Sequence, residues 1–284
     1  MQEQYPFIKW IDMSYNAGFA RANNKGITES SGDIVLLLNP DTLMQDDAIE
    51  QCFRRLAASV YVACGVQLLN PDGSPQISGN YAMRGGLNYL LPLPYAGNWL
   101  KRLGDMGGVQ KPNVPHATVE TEVDWINGAF LMVKKTAIEK AGLLDEDFFL
   151  YSEEAEWCSR LKKTGPLCIW GDLHIVHLQG EISNKSFGSA GKGYYNLFDR
   201  KGLQIMMSNF VRIRKQFGVP WFLLQLLFYT LEVPVFFTGL LLSALFSRRR
   251  YSWQQFRGYC SNLWVLWRKS PVILRNRPYF YKFL

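Results

Sequence analysis

The stretch DIVLLLNPDTLMQDD, residues 33–47, constrains this chain more than any other, because five apolar residues, Ile34 to Leu38, run straight into Asn39-Pro40-Asp41-Thr42. A short apolar run stopped by a turn signal reads as a strand buried on both faces, which belongs to a parallel sheet with helices on each side. The carboxyl end of such a strand is where open α/β sheets bind ligands, which would set Asn39, Asp41 and Thr42 at the mouth of a site. The alternative is an ordinary strand-to-helix turn, with Pro40 ending the strand and Asp46 or Asp47 capping the next helix.

The neighbouring segments repeat the pattern. FIKWID reads as a strand and AGFARANNKGITES as a helix; a second helix starts near Asp46, with Ile49, Phe53, Leu56 and Ala57 on one face. VYVACGVQLLN is the next strand, ended by the Asn70-Pro71-Asp72-Gly73 turn. Strand and helix in alternation imply a parallel sheet with right-handed crossovers. Residues 79–120 are rich in Gly, Pro and Tyr and have no period, as a substrate-shaping lid would. WINGAFLMV and LCIWGDLHIVHL supply two further strands.

The net charge of +7 conceals a division. Residues 200–284 hold fourteen Lys or Arg against one acid, Glu232, a net +13, and residues 1–199 carry the balance of −6. The front is an ordinary globular composition, whereas the basic, aromatic and apolar back suits an anionic surface. Five cysteines, an odd number with no C-x-x-C, point to a reducing compartment and away from a disulfide framework or a zinc site. MQEQYPFIKWIDM lacks a basic start followed by an apolar run, so no secretory leader is expected and the Asn184 sequon is read as chance.

Between Asp145 and Glu156 lie six carboxylates: Asp145, Glu146, Asp147, Glu153, Glu154 and Glu156. By residue type alone they form a solvated helix face, capped by Ser152, with Trp157 and Leu161 turned inward. The functional alternative is that one carboxylate at the helix start takes a proton from a substrate hydroxyl.

Five segments, NAGFARANNKGI, GDIVLLLNPDT, GVQLLNPDGSPQ, VDWINGAFLMVKKTAIEKAGLLDEDFFLYSEEAEWCSRLKKTG and IVHLQGEIS, resemble in order and spacing the glycosyltransferase family 2 enzymes, nearest to the bacterial rhamnosyltransferase-like branch. The resemblance covers roughly residues 7–183. It implies a GT-A fold, Rossmann-like, with a mostly parallel sheet flanked by helices. It implies an inverting transfer of a sugar from a nucleotide-sugar donor to an acceptor hydroxyl, in cell-surface glycan assembly. Asn39-Pro40-Asp41 stands where the family has its D-x-D-type motif, so Asp41 is expected to ligate Mg²⁺ or Mn²⁺ on the donor diphosphate, with Asn39 replacing the first carboxylate.

The same resemblance assigns Asn16, Gly18, Phe19, Asn23 and Asn24 to the donor nucleotide, and Asp124, Trp125 and Gly128 to the acceptor side. Glu153-Glu154 matches the family's Glu-Asp pair, with Glu154 where the base stands and Glu153 its competitor. His177 matches a histidine that approaches the metal or diphosphate; as a lone His at a strand end it is equally a structural residue. Family members place a strand, a helix and a second strand ahead of the NAGF segment, and here Met1 lies fifteen residues before Asn16. Either the start codon is misassigned or the chain is an N-terminally truncated GT-A domain over residues 1–199, and the alternative function is a non-catalytic membrane-associated homologue.

Residues 219–246 carry a single charge, Glu232, and as one straight helix would be ~42 Å long, enough for a tilted crossing of a ~30 Å hydrocarbon core. Glu232 would then lie near the bilayer centre and Pro234 would break the helix beside it. Arg212, Arg214 and Lys215 precede the segment and Arg248, Arg249 and Arg250 follow it, and both clusters favour the cytoplasmic side. Residues 200–284 are accordingly expected to be a helical membrane-associating region at the cytoplasmic face of the plasma membrane. Two helices bent near Glu232 to Pro234, re-entrant or interfacial, are favoured over a single span. A lipid-linked glycan acceptor fits that placement, and nucleic acid is not an expected partner.

Overall fold

The computed structural model describes residues 3–81, 86–108, 112–178, 195–245 and 250–284. Residues 179–183 of the last family motif, Asn184, Arg248 and Arg249 lie outside them. The main sheet runs in the order β1 (Ile34–Leu38), β8 (Phe130–Lys134), β3 (Ala63–Leu69), β9 (Leu167–His177), β2 (Thr42–Met44), and β6 (Glu120–Val123) also pairs with β9. A smaller sheet joins β5 (Asn113–Val114), β4 (Gly79–Asn80) and β7 (Trp125–Ile126).

The sheet is mixed: β3 and β9 run parallel, while β1–β8, β3–β8, β6–β9 and β2–β9 are antiparallel. The mostly parallel arrangement expected from the alternating pattern is corrected here, since a strand covered on both faces reads as the same apolar run in either direction. Two expectations about the start of the chain also change. FIKWID is not a strand, and β1 lies at the sheet edge, with Ile34, Val35 and Leu36 half-buried and only Leu37 fully enclosed. The helices α1 (Gly18–Glu29), α4 (Lys135–Ala141) and α5 (Glu153–Leu161) cover one face, on a core that includes Ile27, Leu131, Val133, Trp157 and Leu161. On the other face α2 (Ala48–Ala58) packs Cys52 and Leu56 on Val66, Leu68 and Met132.

Residues 79–120 are not the aperiodic loop that their composition suggests. They contain β4, β5, a 3₁₀ turn at Gly86–Leu90 and an amphipathic helix, α3 (Ala96–Met106). Behind them stand three long helices: α6 (Arg200–Phe217), α7 (Val219–Leu245) and α8 (Trp253–Arg275). With Tyr89, Leu90 and Leu93 they enclose a third core around Phe210, Phe222, Tyr229 and Tyr259. The α7 helix is unbroken through Pro234, so the two bent half-helices expected are replaced by one helix of 27 residues. Packing of Tyr229, Glu232 and Phe236 on either side of the proline holds the axis together. Nor does Glu232 face hydrocarbon: it is 1 % exposed and accepts hydrogen bonds from the Tyr95 and Ala96 N–H groups at 2.6 and 3.2 Å, capping α3.

The α6 helix is bound to the loop before α5 by polar contacts. Ser208 Oγ donates to Leu150 O at 2.7 Å, Ser152 Oγ donates to Asn209 Oδ1 at 2.8 Å, and Lys215 pairs with Asp145 and Asp147 at 2.5 and 2.6 Å. The C-terminal segment then returns to the same loop, where the Tyr279 and Tyr281 N–H groups donate to Asp147 Oδ1 and Asp147 O, both at 2.9 Å.

Candidate active site

The Asn39 N–H donates to Ala129 O at 3.1 Å, which lays the loop leaving β1 against the turn between β7 and β8. That turn holds Gly128, where a Cβ would stand 3.3 Å from Phe19 Cζ and 3.5 Å from Glu154 Cβ. Asn39, Phe19, Gly128 and Glu154, from three of the five segments, thus meet around one turn.

Asp41 lies between β1 and β2, and the register of β2 on β9 sets Thr42 opposite His177. The Asp41 Oδ1 is 3.5 Å from His177 Nε2, with the two side chains 12 and 8 % exposed. Gln76 determines which imidazole nitrogen carries the proton. Its Nε2 donates to His177 O at 2.6 Å, leaving Oε1 to face His177 Nδ1 at 3.1 Å, and that nitrogen must therefore donate. Burial, opposed by the Asp41 charge, pushes the His177 pKa down. The Asp41 carboxyl and His177 Nε2 thus face each other in a largely buried pocket of the loop. Such a pair suits a divalent cation, with diphosphate oxygens and water completing its shell, and among the described residues no cluster of three or more His, Cys, Asp or Glu is gathered.

The α5 helix starts from strained backbone: Tyr151 and Ser152 both have positive φ, 73 and 69°. Two successive left-handed non-glycine residues are costly and persist only where packing enforces them. Ser152 occupies the N-cap position without using its side chain as a cap. The acids that follow are not solvated, which corrects the reading by residue type: Glu153, Glu154 and Glu156 are 3, 9 and 7 % exposed. Glu156 is structural, since Arg160 holds both of its oxygens at 2.8 and 2.7 Å. Burial, and then the charge of Glu154, pushes the Glu153 carboxyl well above its usual range, and Glu153 Oε2 has no hydrogen-bond partner among the described residues. Glu154 is also raised by burial, but backbone N–H groups at the helix start, Arg212 and the adjacent Trp125 indole favour its charged form. The two carboxyls therefore titrate as a coupled pair, with the hydrogen bonds and the Arg212 charge favouring ionisation at Glu154.

On the donor side Gly18 has φ +73°, and a side chain there would collide with the Phe149 carbonyl, which accepts from the Phe19 N–H at 2.9 Å. Asn16 is exposed at the surface beside it. Asn23 donates to Phe19 O at 2.9 Å, and Asn24, buried, exchanges two hydrogen bonds with the Leu144 backbone at 2.8 and 2.9 Å. These two amides brace the site from behind rather than facing it. Asp124 is ion-paired with Lys162, while Trp125 is buried beside Glu154.

Two residues escaped the sequence reading. Gln76 orients His177, and Arg212 projects from α6 to within 5.4 Å of the Tyr89 ring, where its charge reaches Glu154. Arg212 sits in a basic run that reads as a membrane flank, and Gln76 in a turn, so only the fold reveals either role.

Residues 1–113 match the family model described as Glycosyl transferase family 2. The chain is 28 % identical over 160 residues to the low-salt glycan biosynthesis hexosyltransferase of Haloferax volcanii, covering 55 % of this chain and 47 % of that protein. It is 28 % identical over 185 residues to the N-acetylglucosaminyl-diphospho-decaprenol L-rhamnosyltransferase of Mycobacterium tuberculosis, covering 59 % of this chain and 57 % of that protein. It thus spans about half the length of these two relatives. A mannosyltransferase from Pyrobaculum calidifontis solved with GDP-Man and Mn²⁺ superposes over 94 % of this chain and 72 % of its own, with TM-score 0.40 and 15 % identity. Over residues 1–113 the chain is thus similar to glycosyltransferase family 2, in keeping with the five motifs.

Proposed function

We propose that the chain is an inverting glycosyltransferase that moves a hexosyl or rhamnosyl unit from a nucleotide-sugar donor to an acceptor hydroxyl on a lipid-linked glycan, at the cytoplasmic face of the plasma membrane. The observation that carries this reading is the meeting of the buried Glu153–Glu154 pair with the Asn39–Asp41 loop around the Gly128 turn. The rhamnosyl and lipid-linked parts rest on the relatives, one of which is named for a decaprenol-linked acceptor. Residues 1–199 are taken as the catalytic unit and residues 200–284 as the membrane-associating one.

Glu154 takes the proton from the acceptor hydroxyl as its oxygen bonds to the anomeric carbon, and the bond to the nucleoside diphosphate breaks on the opposite face, giving inversion. Asp41 and His177 are the residues that would hold a divalent cation, Mg²⁺ or Mn²⁺, and such a cation would supply charge neutralisation at the leaving diphosphate. The backbone around Gly18 and Phe19, with Asn16, faces the nucleotide; Trp125 and Gly128 shape the acceptor side. Arg212 favours the ionised form of Glu154, whereas burial and the charge of Glu154 push the Glu153 carboxyl up.

The test is a panel of nucleotide sugars offered to purified chain with lipid-linked acceptor in reconstituted membranes. One donor should yield product of inverted anomeric configuration and an equivalent of nucleoside diphosphate. Retained configuration would overturn the mechanism, and absence of both turnover and donor binding would point to a non-catalytic membrane-associated protein.

A further inference from the structure

The outer face of α7 carries Leu223, Leu227, Leu231, Val235 and Leu242, each 43 to 56 % exposed. Its inner face is fixed to the rest of the protein along its length. Phe222 packs on Phe210 of α6 at 5.5 Å between ring centroids, Tyr229 OH donates to Tyr89 O at 3.1 Å, Glu232 caps α3, and Gly239 lies under the Tyr95 ring. From Phe222 to Gly239 is ~25 Å of helix at 1.5 Å per residue, most of the ~30 Å that a crossing would require free of such contacts. A helix bolted to a globular unit over that distance lies along it.

Two neighbours extend the apolar surface. Tyr95, Trp99, Leu103 and Met106 recur at 4, 4 and 3 residues on one face of α3 and the turn before it, and Tyr95 rests on Gly239 between Val235 and Leu242 of α7. Trp99 and Met106 are 66 and 84 % exposed, so the α3 stripe continues the α7 face outward. On the other flank Trp267 Nε1 donates to Thr230 Oγ1 of α7 at 3.0 Å, and Trp253 packs on Phe237 at 5.7 Å. Along the exposed face of α8, Trp253, Arg257, Trp264 and Arg268 alternate aromatic and cationic side chains. Exposed Trp and Arg beside a continuous aliphatic stripe match a phospholipid interface with anionic headgroups, where indoles sit at headgroup depth and guanidinium groups pair with phosphate.

We propose that α3, α7 and α8 form one monotopic platform, on which α7 lies in the plane of a single leaflet of an anionic bilayer rather than crossing it. This deepens the membrane part of the function proposed above and rests on that reading for its purpose only. The platform leads to the site through α7: Tyr229 holds Tyr89, whose ring lies under Arg212 beside Glu154. A hydroxyl on a lipid-linked acceptor would thus be offered to Glu154 from the leaflet in which α7 lies.

The experiment uses the full chain and no transfer assay, so its failure and that of the glycosyl-transfer reading are separate results. The chain is floated with vesicles of phosphatidylcholine alone and of phosphatidylcholine mixed with phosphatidylglycerol. It should float with the mixed vesicles and bind the neutral ones more weakly. Replacing the α3 stripe by Trp99→Ser, Leu103→Ser and Met106→Ser should weaken binding at least about tenfold with an unchanged far-ultraviolet circular dichroism spectrum, because apolar contact area is removed from exposed positions alone. An NBD fluorophore is then attached at Leu223→Cys or Leu242→Cys in a chain with Cys260→Ser, and dithionite is added outside the vesicles. Both positions should bleach. Protection of one end alone would show a span, unchanged affinity in the α3 variant would remove α3 from the platform, and dimerisation through this face with no vesicle binding would assign it to a second copy; each overturns the proposal.

Discussion

The buried carboxyls at the loop end of the sheet and the polar groups that tie α6 to its neighbours differ in how completely they are partnered. Around the site, Glu153 Oε2 is buried without a hydrogen-bond partner among the described residues, and both carboxyls of the Glu pair are pushed up by burial. Behind it, Gln204 meets Tyr281 O at 3.0 Å and the Phe283 N–H at 2.9 Å, Arg214 donates twice to Leu274 O, and Lys215 serves two aspartates. A buried polar group without a partner is costly, so the first region is held in place by the second. The difference teaches that the C-terminal helices are a clamp for the catalytic loops as well as a basic, apolar surface.

The sharpest way to break the comparison is Asp41→Asn, which removes the charged donor atom facing His177. Transfer should fall by several kcal/mol in transition-state stabilisation, more than about 10³-fold, with melting little changed. A rate within threefold of the original, measured on the full chain, would remove Asp41 from the chemistry.

Next in size is the unequal Glu pair. Glu154→Gln should lower turnover by roughly 10² to 10⁴ and leave donor affinity nearly unchanged, as loss of a base does. Reversal of that pattern between Glu154→Gln and Glu153→Gln would move the base to Glu153. Stability tests the same pair without turnover. Because the folded pKa of Glu153 is raised above 4.5, its contribution to stability is full below that pH and is lost as pH rises through the folded value. Glu153→Gln should therefore raise Tm at neutral pH by at least ~2 °C, about 1 kcal/mol for a chain of this length, and the gain should vanish below about pH 4.5. A gain that persists in acid would mean that burial of the carboxyl is not its origin.

The clamp is tested by Lys215→Met, which leaves Asp145 and Asp147 facing each other without a cation. With Lys215 about one-fifth exposed, the loss should be ~1–3 kcal/mol, below that for a fully buried pair and only partly screened by salt. Urea denaturation of the variant and the parent chain measures it directly.

Much of this arrangement is legible in residue order. The runs at β1, β3 and β9, the periodic helices α1, α2 and α5, and the meeting of motifs around Glu154 all follow from pattern and resemblance. What was not legible depends on partners remote in sequence. The acids after Ser152 read as solvated because acids usually are, and only α6 packed above them makes them buried. Pro234 reads as a break because a proline removes one helical N–H, but side chains on both sides of it are fixed by other elements. The direction of β8 was hidden because both faces of the sheet are covered, so apolar runs carry no sign of strand orientation.

The smallest effect concerns Glu232, which resembles a membrane liability in sequence and is a helix cap in the fold. Its two oxygens accept from the Tyr95 and Ala96 N–H groups at the start of α3, where a carboxylate also meets the positive end of the helix dipole. Glu232→Gln keeps one acceptor oxygen and the packing volume but loses the charge and the second oxygen. The global cost should be ~0.5–1 kcal/mol, as for loss of an ordinary cap, and Tm should fall by no more than about 2 °C. The local effect should be clearer: exchange of the Tyr95 and Ala96 amide hydrogens should accelerate about three- to tenfold, while amides in β3 and β9 stay protected. Acceleration spread equally over α7 and the sheet would show that Glu232 supports the whole helical layer, and no acceleration at residues 95 and 96 would show that another group caps α3.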